Sequence, residues 1–428
     1  MVYWGAKGLG LASMCSMKGF SIFRQLRSIA LLAGGLSLVG AVAGVLAVIG
    51  LAMSGLSLNA LAQAGTQYVV TNDDAAFPYL SGVSLYTVGA NGALTFQQQV
   101  QTGGVGIAGG YFGMNRIAVL DTGDEQCVYA SDAGSGDIAG IAVSSLTVVG
   151  RATGSPTDGG TSNGIGLALG GDYLYASFSD SNTIGTFALR SGCGLAFIGD
   201  TAVAGVQGGV INGMAVRGNM LVATYSDGSI ESFSVAGGTP LSNGDEQSST
   251  ATVTSQGATY ANSVDITSDG HYAIFGDTST ALGVEVSDIS SGKLAKTKAY
   301  KSSASISSSN IRLSPDETLL YVVDTQGAAV SALFFDKTTG KLSPGCRSPR
   351  LSGLSANWTY LAGMGLINQT GNGGGVYVSE FGHTSSIATV TLNVSGQKCS
   401  LQEAAGSPVS DDNSTGLLSI GTFPPRAF

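Results

Sequence analysis

Tyr68-Val-Val-Thr-Asn opens a phrase that returns as Tyr129-Ala-Ser-Asp, Tyr175-Ala-Ser-Phe-Ser-Asp, Val222-Ala-Thr-Tyr-Ser-Asp, Tyr272-Ala-Ile-Phe-Gly-Asp, Tyr321-Val-Val-Asp and Tyr377-Val-Ser-Glu. The seven copies stand 61, 46, 47, 50, 49 and 56 residues apart. Each is followed by a polar turn and an alternating segment, such as Thr183-Ile-Gly-Thr-Phe-Ala-Leu, then by a glycine-containing turn and a weaker strand. Period-two alternation bounded by Gly, Asn, Asp and Ser is the signature of strands, and a repeat of about 50 residues is that of a propeller blade. Every copy but the first is preceded by a short apolar segment, for example Asn212-Gly-Met-Ala-Val. The segment missing before Tyr68 appears at the far end as Ser414-Thr-Gly-Leu-Leu-Ser-Ile. The pattern predicts an all-β, seven-bladed β-propeller of four-stranded blades over residues 65–428. A C-terminal strand completes blade 1 and closes the ring, which removes the open sheet edge.

Residues 1–64 read differently. Their only charges are Lys7, Lys18, Arg24 and Arg27, and no charged residue occurs between Ser28 and Leu58. The segment ends in Asn59-Ala-Leu-Ala-Gln-Ala, which offers small-residue cleavage sites after Ala62 or Ala64. A basic start, an apolar run and a small-residue exit describe an export signal. The run is also longer than the ~20 residues that span a bilayer, so an uncleaved N-terminal anchor is the alternative, and the only expected link to a membrane. Either way the propeller is expected to be exported, whether periplasmic, cell-surface or secreted.

The whole chain of 428 residues has a formal charge of −9, with 65 glycines, 11% charged residues and two histidines. Without its first 64 residues it keeps 15 bases and 28 acids, 15 − 28 = −13. That balance argues against nucleic-acid binding, which needs clustered cations. Two histidines leave little scope for imidazole metal sites, and the cysteines lack CxxC spacing, so no metal or cofactor is called for. Four cysteines remain, Cys127, Cys193, Cys346 and Cys399, an even number that in an oxidising compartment suggests two disulfides among three pairings. The propeller reading brings Cys127 and Cys193 to one face of adjacent blades. Cys346 and Cys399 then pair by elimination, although they map near opposite ends of their strands. Gly104-Val-Gly-Ile-Ala-Gly109 matches a dinucleotide-loop pattern without its βαβ setting and reads as a glycine-rich loop between blades.

Tyr68-Val-Val-Thr-Asn, together with Ser314-Pro-Asp-Glu-Thr-Leu-Leu-Tyr-Val-Val-Asp and Asp336-Lys-Thr-Thr-Gly-Lys-Leu-Ser-Pro-Gly, resembles the YVTN-repeat, lactonase-like seven-bladed propellers. That family includes 6-phosphogluconolactonases and fungal carboxymuconate cyclases. The resemblance covers residues 66–428 and implies a lactonase-like hydrolase or isomerase. Its substrate would be a small anionic sugar lactone or related compound, held at the channel mouth by His, Arg and Glu.

In a propeller, loops entering the innermost strands share a face with turns joining the second and third strands. That face is expected to carry the site. Candidate ligand-binding residues there are Asn115, Asn163, Asn212, Asn262 and Asn310, each opening an inner strand. Candidate catalytic residues are Arg116 and Arg312, whose guanidinium forks match carboxylates and phosphates, and the pair Glu380/His383 for proton transfer. The repeated Asn and Asp positions also suit turns that need no ligand. No loop entering an inner strand contains histidine, so a second expectation stands beside the first: a non-enzymatic propeller binding a glycan, peptide or protein partner.

Overall fold

The computed structural model describes residues 67–75, 78–107, 115–155, 164–248, 261–277, 283–300, 308–325, 327–352, 360–367, 375–381, 385–411 and 417–425. The proposed signal or anchor in residues 1–64 lies outside them. Seven antiparallel sheets follow one another along the chain. The inner strands of blades 2 to 7 are Ile117–Asp121, Ile165–Gly170, Ile211–Arg217, Ala261–Ile266, Ser308–Leu313 and Tyr360–Leu366. That of blade 1 is Leu417–Phe423, which pairs antiparallel with Tyr68–Asp73 and sets Tyr68 opposite Phe423. Each inner strand packs beside those of its two neighbours, so the ring closes as anticipated. Blades 4 and 7 carry a short fifth strand each, Gln247–Ser248 and Val409–Ser410.

The alternation seen in the sequence does not translate into a wet and a dry face. Tyr68–Asp73 and Asp137–Ala142 are buried along their whole length. A blade is flanked by blades on both sides, so its middle strands have no solvent face. Only an outer strand such as Thr147–Thr153 alternates in exposure. Five tyrosines of the repeated phrase fill these interfaces, Tyr68, Tyr129, Tyr175, Tyr321 and Tyr377 being at most 1% exposed. Burying rings of that size adds to the aliphatic packing between blades.

Polar groups complete the joints. Ser131 Oγ donates to the Ile165 carbonyl of the next blade at 2.8 Å, and Ser179 Oγ to that of Ile211 at 3.0 Å. Asn72 Nδ2 donates to the carbonyls of Arg116 and Ser131 at 3.0 and 3.1 Å. The loop of residues 103–107 passes so close to its neighbours that a Cβ on Gly104 would stand 2.2 Å from Asp132 Oδ2. Its glycines answer to this backbone approach rather than to a nucleotide.

Both disulfides join adjacent blades: Cys127–Cys193 links blades 2 and 3 and Cys346–Cys399 links blades 6 and 7, with Cα separations of 5.4 and 5.5 Å. Cys346 and Cys399 meet although they sit at opposite ends of their outer strands. Twist accumulates across four strands, so the outer strands lie oblique to the channel and their far ends converge. Two such bridges fit a non-cytoplasmic, oxidising setting.

Candidate functional site

Among the expected site residues, Arg116 enters the joint between blades 1 and 2. It is 2% exposed and pairs with the fully buried Asp74. Its amide donates to Ser419 Oγ at 2.9 Å. Glu380 is also interior, 1% exposed, and accepts a hydrogen bond from the Ser386 hydroxyl. Burial pushes its carboxyl up to about 7, against the lowering effect of that hydrogen bond. His383 and Asn163 lie outside the described residues, and of Asn262 only the backbone is described. Asn212 is fully buried, and Asn310, 1% exposed, donates Nδ2 to the Ala362 carbonyl at 3.3 Å.

The acidic turn residues act locally. Asp227 accepts the amides of Gln207 and Gly209 at 2.8 and 3.1 Å, tying down the loop that leads into its own blade. Burial opposes its ionisation, but these bonds and those from Ser229 hold its carboxyl below the ordinary value. Asp324 pairs with Arg347 and accepts the Gly327 amide at 3.0 Å. Asp132 accepts from Thr102 Oγ1 at 2.9 Å, while neighbouring Asp137 is paired with Arg151. Burial, reinforced by the Asp137 charge, pushes Asp132 up to about 8.

Arg312 and Asn115 are brought together. The guanidinium of Arg312, from the inner strand of blade 6, donates to Asn115 Oδ1 of blade 2 at 2.7 Å. Asn115 adopts a φ of +62°, a left-handed conformation that Asn tolerates better than most residues. Both line a cavity of about 430 Å³ in the central channel, to which every blade contributes. Neither Arg116 nor Glu380 lines it.

The cavity runs along the inner strands from Asn115, at the entry of blade 2. Blades 3 to 7 line it through the later parts of their inner strands, Ser268 and Pro315 lie just past the strands of blades 5 and 6, and Pro424 and Pro425 just past the closing strand of blade 1. It therefore approaches the face of the turns between first and second strands. Several loops of the opposite face lie outside the described residues.

Two charged residues missed by the sequence reading share the cavity, Asp265 of blade 5 and Arg217 of blade 4. Asp265 Oδ2 accepts the amide of Leu313, the residue after Arg312, at 2.8 Å. Arg312 shows the kind of signal that marks the channel wall. Opposite the tyrosine of the repeated phrase, blades 2, 3 and 7 carry Ala118, Ala168 and Gly365, whereas blade 6 carries Arg312. A charge within a strand that is otherwise apolar and small marks the channel. A guanidinium in such a wall acts through a lower effective dielectric than one in open solvent.

With this geometry in place, a family model for the seven-bladed β-propeller lactonases matches residues 192–408. The chain belongs to that lactonase family. No curated protein sequence matches it. The lactonase propeller architecture recurs in solved structures: a candidate 6-phosphogluconolactonase of Bacteroides uniformis superposes with a TM-score of 0.61 at 12% identity, covering 84% of this chain and 100% of that one. A second candidate from Bacteroides fragilis gives 0.58 at 13%, covering 84% and 98%. A protein of unknown function from Desulfotomaculum acetoxidans gives 0.58 at 12%, covering 82% and 98%. At such identities these likenesses speak to the fold alone.

Proposed function

We propose that this lactonase-family propeller opens a small lactone, anionic before or after ring opening, inside the central channel. The observation that carries the proposal is Arg312, its guanidinium bonded to Asn115 in a mainly aliphatic cavity. Water adds to the lactone carbonyl, the carbonyl oxygen gathers negative charge, and Arg312 stabilises that charge by hydrogen bonding. Asp265 is the carboxylate lining the cavity and serves as the base that takes the water proton. The ring C–O bond then breaks, its electron pair leaves on the ring oxygen, which takes the proton back from Asp265, and the acid so formed releases its proton to solvent and pairs its carboxylate with Arg312. The two disulfides and the basic-then-apolar N-terminus support action outside the cytoplasm.

The test is the rate of acid release from a panel of aldonolactones and alkyl lactones by purified protein. Arg312→Gln is expected to lower kcat/KM by roughly 10²–10³-fold, the effect of losing one oxyanion donor. No hydrolysis above background across the panel overturns the reading. A second reading, a propeller that holds a glycan, peptide or protein partner without turnover, draws support from the structural engagement of Arg116 and Glu380. Retention of such a partner without hydrolysis of any lactone would favour it. N-terminal sequencing of the protein recovered from cell fractions checks export, with cleavage expected after Ala62 or Ala64.

A further inference from the structure

The cavity wall is built from more than the Arg312 guanidinium. About 430 Å³ lies within the range of small-molecule sites. Aliphatic side chains line it from around the ring, among them Leu167, Met214, Ile266, Leu313, Met364 and Ile420. The polar side chains are fewer: Arg312 with Asn115, Asp265, Arg217, Ser268, and Thr422, whose hydroxyl is taken by the Leu366 carbonyl.

A polyhydroxylated ligand fits such a wall poorly. Each hydroxyl pressed against Leu, Ile or Met loses its water and finds no partner, at about 1–3 kcal/mol per unmade hydrogen bond. A hydrocarbon body gains from the same surface, at about 25 cal/mol for each Å² removed from water. A carboxylate or lactone carbonyl at one end satisfies Arg312.

From this we infer that the channel selects an amphipathic acid or lactone, with one anionic or carbonyl head at Arg312 and an alkyl or aryl body along the aliphatic wall, over a sugar lactone. The inference deepens the lactonase reading and rests on it for the word substrate. The binding of such a ligand is a separate claim.

The experiment is therefore calorimetric titration of the purified protein with octanoate, octanol and gluconate, run beside hydrolysis of an alkyl δ-lactone and of gluconolactone. Octanoate is expected to bind saturably, with octanol and gluconate each at least about tenfold weaker, the scale of a lost charge-assisted hydrogen bond or of unpartnered hydroxyls. Arg312→Gln, with its fold checked by circular dichroism, should weaken octanoate by roughly 10–100-fold. Arg312→Lys, which keeps the charge, should restore part of that loss. Octanoate binding without any lactone hydrolysis supports the ligand class and sinks the lactonase reading alone. Gluconate binding as tightly as octanoate, octanoate binding indifferent to Arg312→Gln, or no saturable octanoate binding overturns the inference, whatever the hydrolysis assays return.

Discussion

Asn72 illustrates how much a single polar position in the repeated phrase does. Its amide nitrogen reaches carbonyls 44 and 59 positions away, one just before the inner strand of blade 2 and one in its second strand, and the serines at the matching places before Asp132 and Asp180 reach forward in the same manner. The polar position is visible in the sequence; its partners are not, because nothing local encodes a contact across a blade joint. Arg116 teaches the same lesson in charge. From its place beside Asn115 it reads as a channel residue, yet its partner Asp74 waits between blades. Arg116→Met should destabilise the fold by about 3–5 kcal/mol in urea unfolding, because it strands a buried carboxylate. Glu380 supplies a pH signature. Its folded value of about 7 lies above the ordinary carboxylate value, so its contribution to stability is complete below about pH 4.3 and is lost as pH rises through 7. The melting temperature of the wild type should fall across that window more steeply than that of Glu380→Gln. Parallel curves would show that Glu380 does not titrate in this way.

At the scale of the element, strands were the most legible feature and the site the least. Alternation, turn residues and spacing located the blades. Placement in adjacent blades anticipated Cys127–Cys193, and elimination left Cys346 for Cys399, whose positions looked mismatched along their strands. Strand twist, which sequence spacing does not display, reconciles them. Each bridge closes a long stretch, its cysteines standing 66 and 53 positions apart in sequence. Replacing Cys346 and Cys399 together by serine should cost roughly 2–4 kcal/mol, read as a lower melting temperature that added reductant no longer changes at that joint. Arg312 was legible as a candidate, whereas Asp265 and Arg217 were not. Their meaning depends on which blades they face across the channel, and that is settled only once the ring has closed.

The whole molecule depends on a join between distant parts of the chain. Leu417–Phe423 is the inner strand of the blade whose other three strands begin at Tyr68. Ending the chain at residue 416 should leave Tyr68–Asp73 with a bare edge and the Asn72 and Arg116 joint without Ser419. The expected outcome is aggregation and loss of a cooperative melt. A full-length-like melt after this truncation would show that the closing strand is dispensable. The same join makes the order of the blades along the chain a matter of convention. A gene recut between blades 3 and 4, with a short linker bridging the flanks of Tyr68 and Phe423, would encode the same seven sheets in a new order, since circularly permuted chains are tolerated where the original ends lie close together.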